Sequence, residues 1–219
     1  TVGQSPVISV NSGSICEGAT FTITPSGASS YSYSGGSNTV SPLSNTSYSV
    51  VGTGTNGCVS APAVSDVTVH PLPVITVNSG SICAGASFTF SPGGADSYSI
   101  TGGNMVVSPA VTTSYSVTGE FNTGCASASP AVVELTVHAL PVITVNSGTM
   151  CAGETFTLIP SGAANYSFTG GSATVSPSST SSYSVTGISA EGCESAAPAV
   201  AVVSVAPIPV ITVNSGSIC

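Results

Sequence analysis

Three features of the sequence predict a chain of small all-β sandwiches in series. One eleven-residue phrase, PVITVNSGSIC, stands at 73–83 and again at 209–219, with near-copies at 6–16 and 141–151. Val, Ser, Thr and Gly dominate beside 15 Pro, a mixture that favours strands and tight turns over helices. Apolar residues alternate with polar ones, as at Phe21 and Ile23 or Val67 and Val69, which marks strands with one buried face.

The phrase sets the frame. Its copies begin at Pro6, Pro73, Pro141 and Pro209, and Tyr48, Tyr115 and Tyr183 recur at the same nearly constant step. Such a period means an array of units, here the size of small domains. The expected division is 1–5 as the end of a preceding repeat, 6–72, 73–140 and 141–208 as three full repeats, and 209–219 as the start of a following one. The chain therefore reads as a window of a longer tandem array.

Within the first repeat, turn residues mark off seven short strands near 7–10, 19–25, 30–34, 38–41, 46–52, 57–61 and 64–70. Seven short antiparallel strands in so short a repeat suggest a small Greek-key sandwich of immunoglobulin type, with one disulfide per repeat. Gly35-Gly36, Gly102-Gly103 and Gly170-Gly171 read as hairpin turns. Tyr31, Tyr98 and Tyr166 take the region where antibody-type domains carry a Trp.

Seven cysteines allow two regular pairings. Cys16–Cys58, Cys83–Cys125 and Cys151–Cys193 form one set with a constant separation. Cys58–Cys83, Cys125–Cys151 and Cys193–Cys219 form the other, with a shorter one. Seven strands put Cys16 and Cys58 at the same pole of one sandwich. Cys58 and Cys83 would lie at far poles of neighbouring sandwiches, roughly 30 Å or more apart, against the ~7 Å limit on a disulfide. The expectation is therefore pairing within each repeat, with the partner of Cys219 outside the window. Closing such a loop contributes about 4 kcal/mol in the chain-entropy model. Regular disulfides imply an oxidising, hence exported, location.

Strand seven passes into the next repeat through HPLP (70–73), HALP (138–141) and APIP (206–209), short stiff joints. Leu72, Pro73, Leu140, Pro141, Ile208 and Pro209 are the candidate inter-domain residues. His70 and His138 share a joint position that is Ala206 in the third repeat, which argues for spacer residues.

No repeating chemical site emerges. The chain has no Lys, no Arg and eight acids, a net charge of −8, which removes the usual grip on nucleic acid or anionic lipid. No apolar run is long enough to span a membrane. No catalytic residue, metal ligand or cofactor site is expected: there is no CxxC, and Glu17, Glu154, Glu191 and Glu194 stand at unmatched positions. Asn45 and Asn165 open glycosylation triplets of the kind chance supplies in a Ser/Thr-rich chain.

The phrase PVITVNSGSIC-x-G-x-x-F-T, followed by TSYSVTG and GC, resembles the tandem immunoglobulin-like repeats of very large exported surface proteins of Bacteroidota. The resemblance implies extracellular stalks, adhesins or surface fibres, often exported by the type IX system. The leading expectation is a non-enzymatic structural rod or filament segment at the cell surface. Its partners are neighbouring repeats and other copies in a fibre. The alternative is a glycan- or protein-binding adhesive module acting through loops such as GTGTNG (52–57) and GEFNTG (119–124), although aromatic residues suited to glycans are few.

Overall fold

A computed structural model describes residues 3–216, so Cys219 and its expected outside partner lie beyond the described residues. Those residues are all-β, arranged as four-stranded and two-stranded sheets. Contacts divide the chain into two compact units. Among the described residues the first comprises those up to 79 with 89–105 and 114–133, and the second 80–88, 106–113 and those from 134 on. The middle sequence repeat thus contributes to both.

In the first unit the strands begin with β1 (Gly13–Cys16), β2 (Phe21–Thr22), β3 (Ser30–Tyr33), β4 (Thr39–Val40), β5 (Thr46–Thr53) and β6 (Ala63–His70). A four-stranded sheet runs β1-β6-β5-β3 and faces the pair β2-β4. β5 and β6 are an antiparallel hairpin, while β1 runs parallel to β6 with Cys16 opposite His70. Alternation directs one face inward. Val50 and Val67 of the larger sheet meet Val40 of the smaller and Ile23 just after β2, all buried, with Ile8, Phe21, Tyr31 and Tyr48 packed around them. Each fully buried aliphatic side chain contributes roughly 1.5–3 kcal/mol. Ser65 is buried among them, and its hydroxyl donates to the Asn11 carbonyl at 2.7 Å.

The middle repeat supplies β7 (Gly80–Cys83), β8 (Phe88–Thr89), β9 (Ser97–Ile100), β10 (Val106–Val107), β11 (Thr113–Glu120) and β12 (Ala131–His138). Within the first unit β9 pairs antiparallel with β11. Within the second, β7 runs parallel to the Leu135–His138 end of β12, with Cys83 opposite His138. The second unit adds β13 (Thr144–Val145), β14 (Gly148–Cys151), β15 (Phe156–Thr157), β16 (Pro160–Ser161), β17 (Asn165–Phe168), β18 (Thr174–Val175), β19 (Ser181–Ile188) and β20 (Ala199–Ala206). There β14-β20-β19-β17 repeats the first sheet order, opposite β15-β18 and β13-β16. Met150, Leu158, Ala201 and Val203 form its core.

Three letters of the repeated phrase, its first Ile, its Asn and its Gly, have the same physical role in each of the three copies described. Asn11, Asn78 and Asn146 each use both ends of the amide. Nδ2 donates to the carbonyl of Thr22, Thr89 or Thr157 at 3.0–3.1 Å, and Oδ1 accepts the backbone N–H two residues further on. Gly13, Gly80 and Gly148 lie under Phe21, Phe88 and Phe156, where a Cβ would come within 2.5–2.7 Å of the ring. Ile8, Ile75 and Ile143 press on Gly52, Gly119 and Gly187, the strand glycines that make room for them. Tyr31, Tyr98 and Tyr166 fold back so that each hydroxyl binds both N–H and carbonyl of Ala28, Ala95 or Ala163.

Two sequence expectations change. The strand expected at 7–10 is only a bridge, Ser9 to Ser26, and the parallel strand β1 follows it. The strand expected at 57–61 is not one: Gly54 accepts from Gly57 and donates to Cys58, a tight turn inside the β5–β6 hairpin. With one strand fewer before β6, that turn lies at the opposite pole from the one expected.

Candidate functional site

The residues that distinguish this chain are its cysteines and joints. Cys16, Cys83 and Cys151 end the parallel strands β1, β7 and β14, opposite His70, His138 and Ala206. Each is followed by the same hydrogen bond, from the N–H of Glu17, Ala84 or Ala152 to the carbonyl of the residue opposite, at 2.8–3.1 Å. These cysteines are therefore held where the last strand runs into the next joint.

Cys58, Cys125 and Cys193 sit in the hairpin turns β5–β6, β11–β12 and β19–β20. Each turn closes by two backbone bonds, such as Phe121 N–H to Cys125 O at 3.0 Å and Gly124 N–H to Phe121 O at 2.9 Å. Gly57, Gly124 and Gly192 take positive φ of 77, 81 and 85° immediately before the cysteine. This conformation is costly for other residues. The hairpin cysteines lie shortly before β6, β12 and β20, at the pole where each last strand begins.

The expected pairs Cys16–Cys58, Cys83–Cys125 and Cys151–Cys193 are corrected. Cys16 bonds Cys125, and Cys83 bonds Cys193, both with Cα atoms 5.5 Å apart. The first cysteine of one repeat thus joins the hairpin cysteine of the next. The physical reason is strand length. From Ala63 to His70, or Ala199 to Ala206, seven steps at ~3.3 Å separate the two ends of the strand by about 23 Å. That separation keeps Cys16 from Cys58 and Cys151 from Cys193, since a disulfide requires Cα atoms within ~7 Å. Spacing alone also permits this third register, with sequence separations of 109 and 110.

Among the described residues, Cys58 and Cys151 are free thiols. Their surroundings differ from those of their bonded counterparts. Cys125 and Cys193 are 1% and 0% exposed, whereas Cys58 is half-buried and Cys151 exposed. Burial of the hairpin cysteine accompanies its bond.

The joint residues lie as follows. Leu72 is half-buried and Pro73 buried. Both line a cleft with Glu17, the loop Ala128, Ser129 and Pro130 ahead of β12, and Ala131 at its start. Leu140 and Pro141 are half-buried, while Ile208 is 64% exposed and Pro209 exposed. His70 and His138 are half-buried. The Glu191 carboxyl is held below the usual carboxylate range by its own backbone N–H, then the Ser189 hydroxyl, with His138 adding attraction. Glu191 and Glu194 are exposed on the turn of Cys193. Among the described residues, no three His, Cys, Asp or Glu side chains gather as a metal site, and no helix is long and apolar enough to cross a membrane.

No protein-family model and no curated protein matches the chain. Several solved structures are similar at low identity. A 1.5-MDa bacterial ice-binding adhesin is 16% identical over 93% of this chain and 99% of that one, with a TM-score of 0.37. A Ca2+-stabilised adhesin with which an Antarctic bacterium binds ice is 14% identical over 93% and 74%, with a TM-score of 0.40. Mouse cadherin-23 EC22–24 is 10% identical over 94% and 100%, with a TM-score of 0.33.

Proposed function

We propose that the chain is a segment of an extracellular rod, the body of a bacterial surface fibre or adhesin stalk, and that it acts as structure rather than as an enzyme. One observation carries the reading: both disulfides of the described residues tie the end of one repeat to a hairpin of the next, across the proline-bearing joint. Each bond lies inside one compact unit and joins two sequence repeats within it, so it both stabilises that unit and restrains motion between the repeats. Such bonds persist in oxidising compartments, which supports an exported location. The resemblance of the phrase to repeats of very large exported proteins of Bacteroidota points the same way.

The alternative of an adhesive module is less well supported. Loop 119–124, one of its candidate contact surfaces, leads directly into Cys125, which is buried and bonded at a joint. Electron microscopy of the native source material tests the rod. The expected result is filaments with a repeat of about 35 Å, from strand length plus turns, that lose straightness on reduction. Isolated short particles that reduction leaves unchanged would overturn it.

A further inference from the structure

We infer that the two disulfides form an interlaced covalent strap that caps how far the chain can be stretched. This is a mechanical function beyond bracing each joint. Its purpose rests on the proposed rod, which would carry tension, but the strap itself follows from connectivity.

The loop closed by Cys16–Cys125 contains Cys83, and the loop closed by Cys83–Cys193 contains Cys125. Neither loop encloses the other. Under tension the hydrogen-bonded sheets can unravel, and the limit of extension is then the shortest covalent path between the termini. That path runs from Thr1 to Cys16, across sulfur to Cys125, back along the chain to Cys83, across to Cys193 and on to Cys219. It contains about 83 residue steps, or about 290 Å at ~3.5 Å per step. The reduced chain has about 218 steps and reaches about 760 Å.

The bonds also cover for one another. With Cys16–Cys125 broken, the path runs from Thr1 to Cys83, across to Cys193 and on, about 108 steps. With Cys83–Cys193 broken, it runs through Cys16 and Cys125, about 109 steps. Either single loss therefore lengthens the chain by only about 90 Å, and loss of the second releases about 380 Å more. Independent staples behave differently: each bond within a repeat would release about 42 steps, or about 150 Å, whatever the state of the others. An interlaced pair survives the loss of one bond with little change in reach.

The test is single-molecule force extension of the chain with all its cysteines in place, held through peptide tags added at both ends, with a dithiol reductant added under constant load. Each disulfide is reduced to two thiols as the reductant is oxidised to its own disulfide. The expected record is a taut length of about 290 Å, then a short step of about 90 Å, then a long one of about 380 Å. Equal steps of about 150 Å, or a non-reduced chain reaching beyond about 400 Å, would overturn the strap. The readout depends on sulfur connectivity and not on folding. The variants Cys16→Ala/Cys125→Ala and Cys83→Ala/Cys193→Ala should each start about 90 Å longer than the parent. Starts longer by about 150 Å or more would contradict interlacing. Because the load is applied to one isolated chain, a failure here refutes the strap alone. A failure of the rod reading appears only in the microscopy of native material.

Discussion

Replacing Cys16 and Cys125 together by Ala should be far more damaging than replacing Cys58 and Cys151 together. Both double variants remove one strand-end cysteine and one hairpin cysteine, so their composition is matched. The first breaks one bond that closes a loop with a sequence separation of 109. In the chain-entropy model such a closure contributes about 4.8 kcal/mol. The second breaks none, since both thiols are free and neither is fully buried; its cost should stay within about 1 kcal/mol. Urea unfolding without reductant, followed by circular dichroism, measures the difference. At a slope of about 2 kcal/mol/M the first variant should lose about 2 M in the midpoint of the affected transition, and the second less than about 0.5 M. Bonds within repeats predict another outcome, because each double variant would then break two loops of equal length. Equal midpoints for the two variants would refute the inter-repeat register.

The same register and the same turns can be checked in two other ways. Non-reducing digestion with a glutamyl endopeptidase, which cuts after Glu17, Glu120, Glu134, Glu154, Glu191 and Glu194, should leave fragment 1–17 linked to 121–134 and 18–120 linked to 192–194. Mass spectrometry showing 1–17 joined to 18–120 would contradict it. Gly162→Ala should cost about 2 kcal/mol more than Gly153→Ala. Both glycines have positive φ, 104 and 92°, but only at Gly162 would the new Cβ run into backbone, the Val142 carbonyl oxygen. The shift needed would disturb the pairing of Thr144 with Ser161. Equal losses in denaturant would refute that steric account.

Much of the architecture was legible in the chain itself. The recurrence of PVITVNSGSIC set the period, and the alternation around Phe21, Ile23, Val67 and Val69 marked two segments whose inward residues, Ile23 and Val67, are buried, although only Phe21–Thr22 of the first pairs as a strand. These are local properties, because period-two burial and turn residues act over a few positions. The roles inside the phrase were not legible. That Asn11 secures the backbone beside β2, or that Gly13 lies under Phe21, depends on which segments meet across the intervening turn.

Composition and period determined the all-β class and the repeating placement of the cysteines. Only the tertiary structure decided which sulfur meets which. Pairing depends on the pole at which each turn emerges, and the pole alternates with every strand. Reading 57–61 as a strand, where the chain makes the turn that ends at Cys58, moves that cysteine from one end of the sandwich to the other. An error of a few residues in one element thus displaces a sulfur by the length of a strand, about 23 Å, because direction in an antiparallel fold is a cumulative count that no local pattern records.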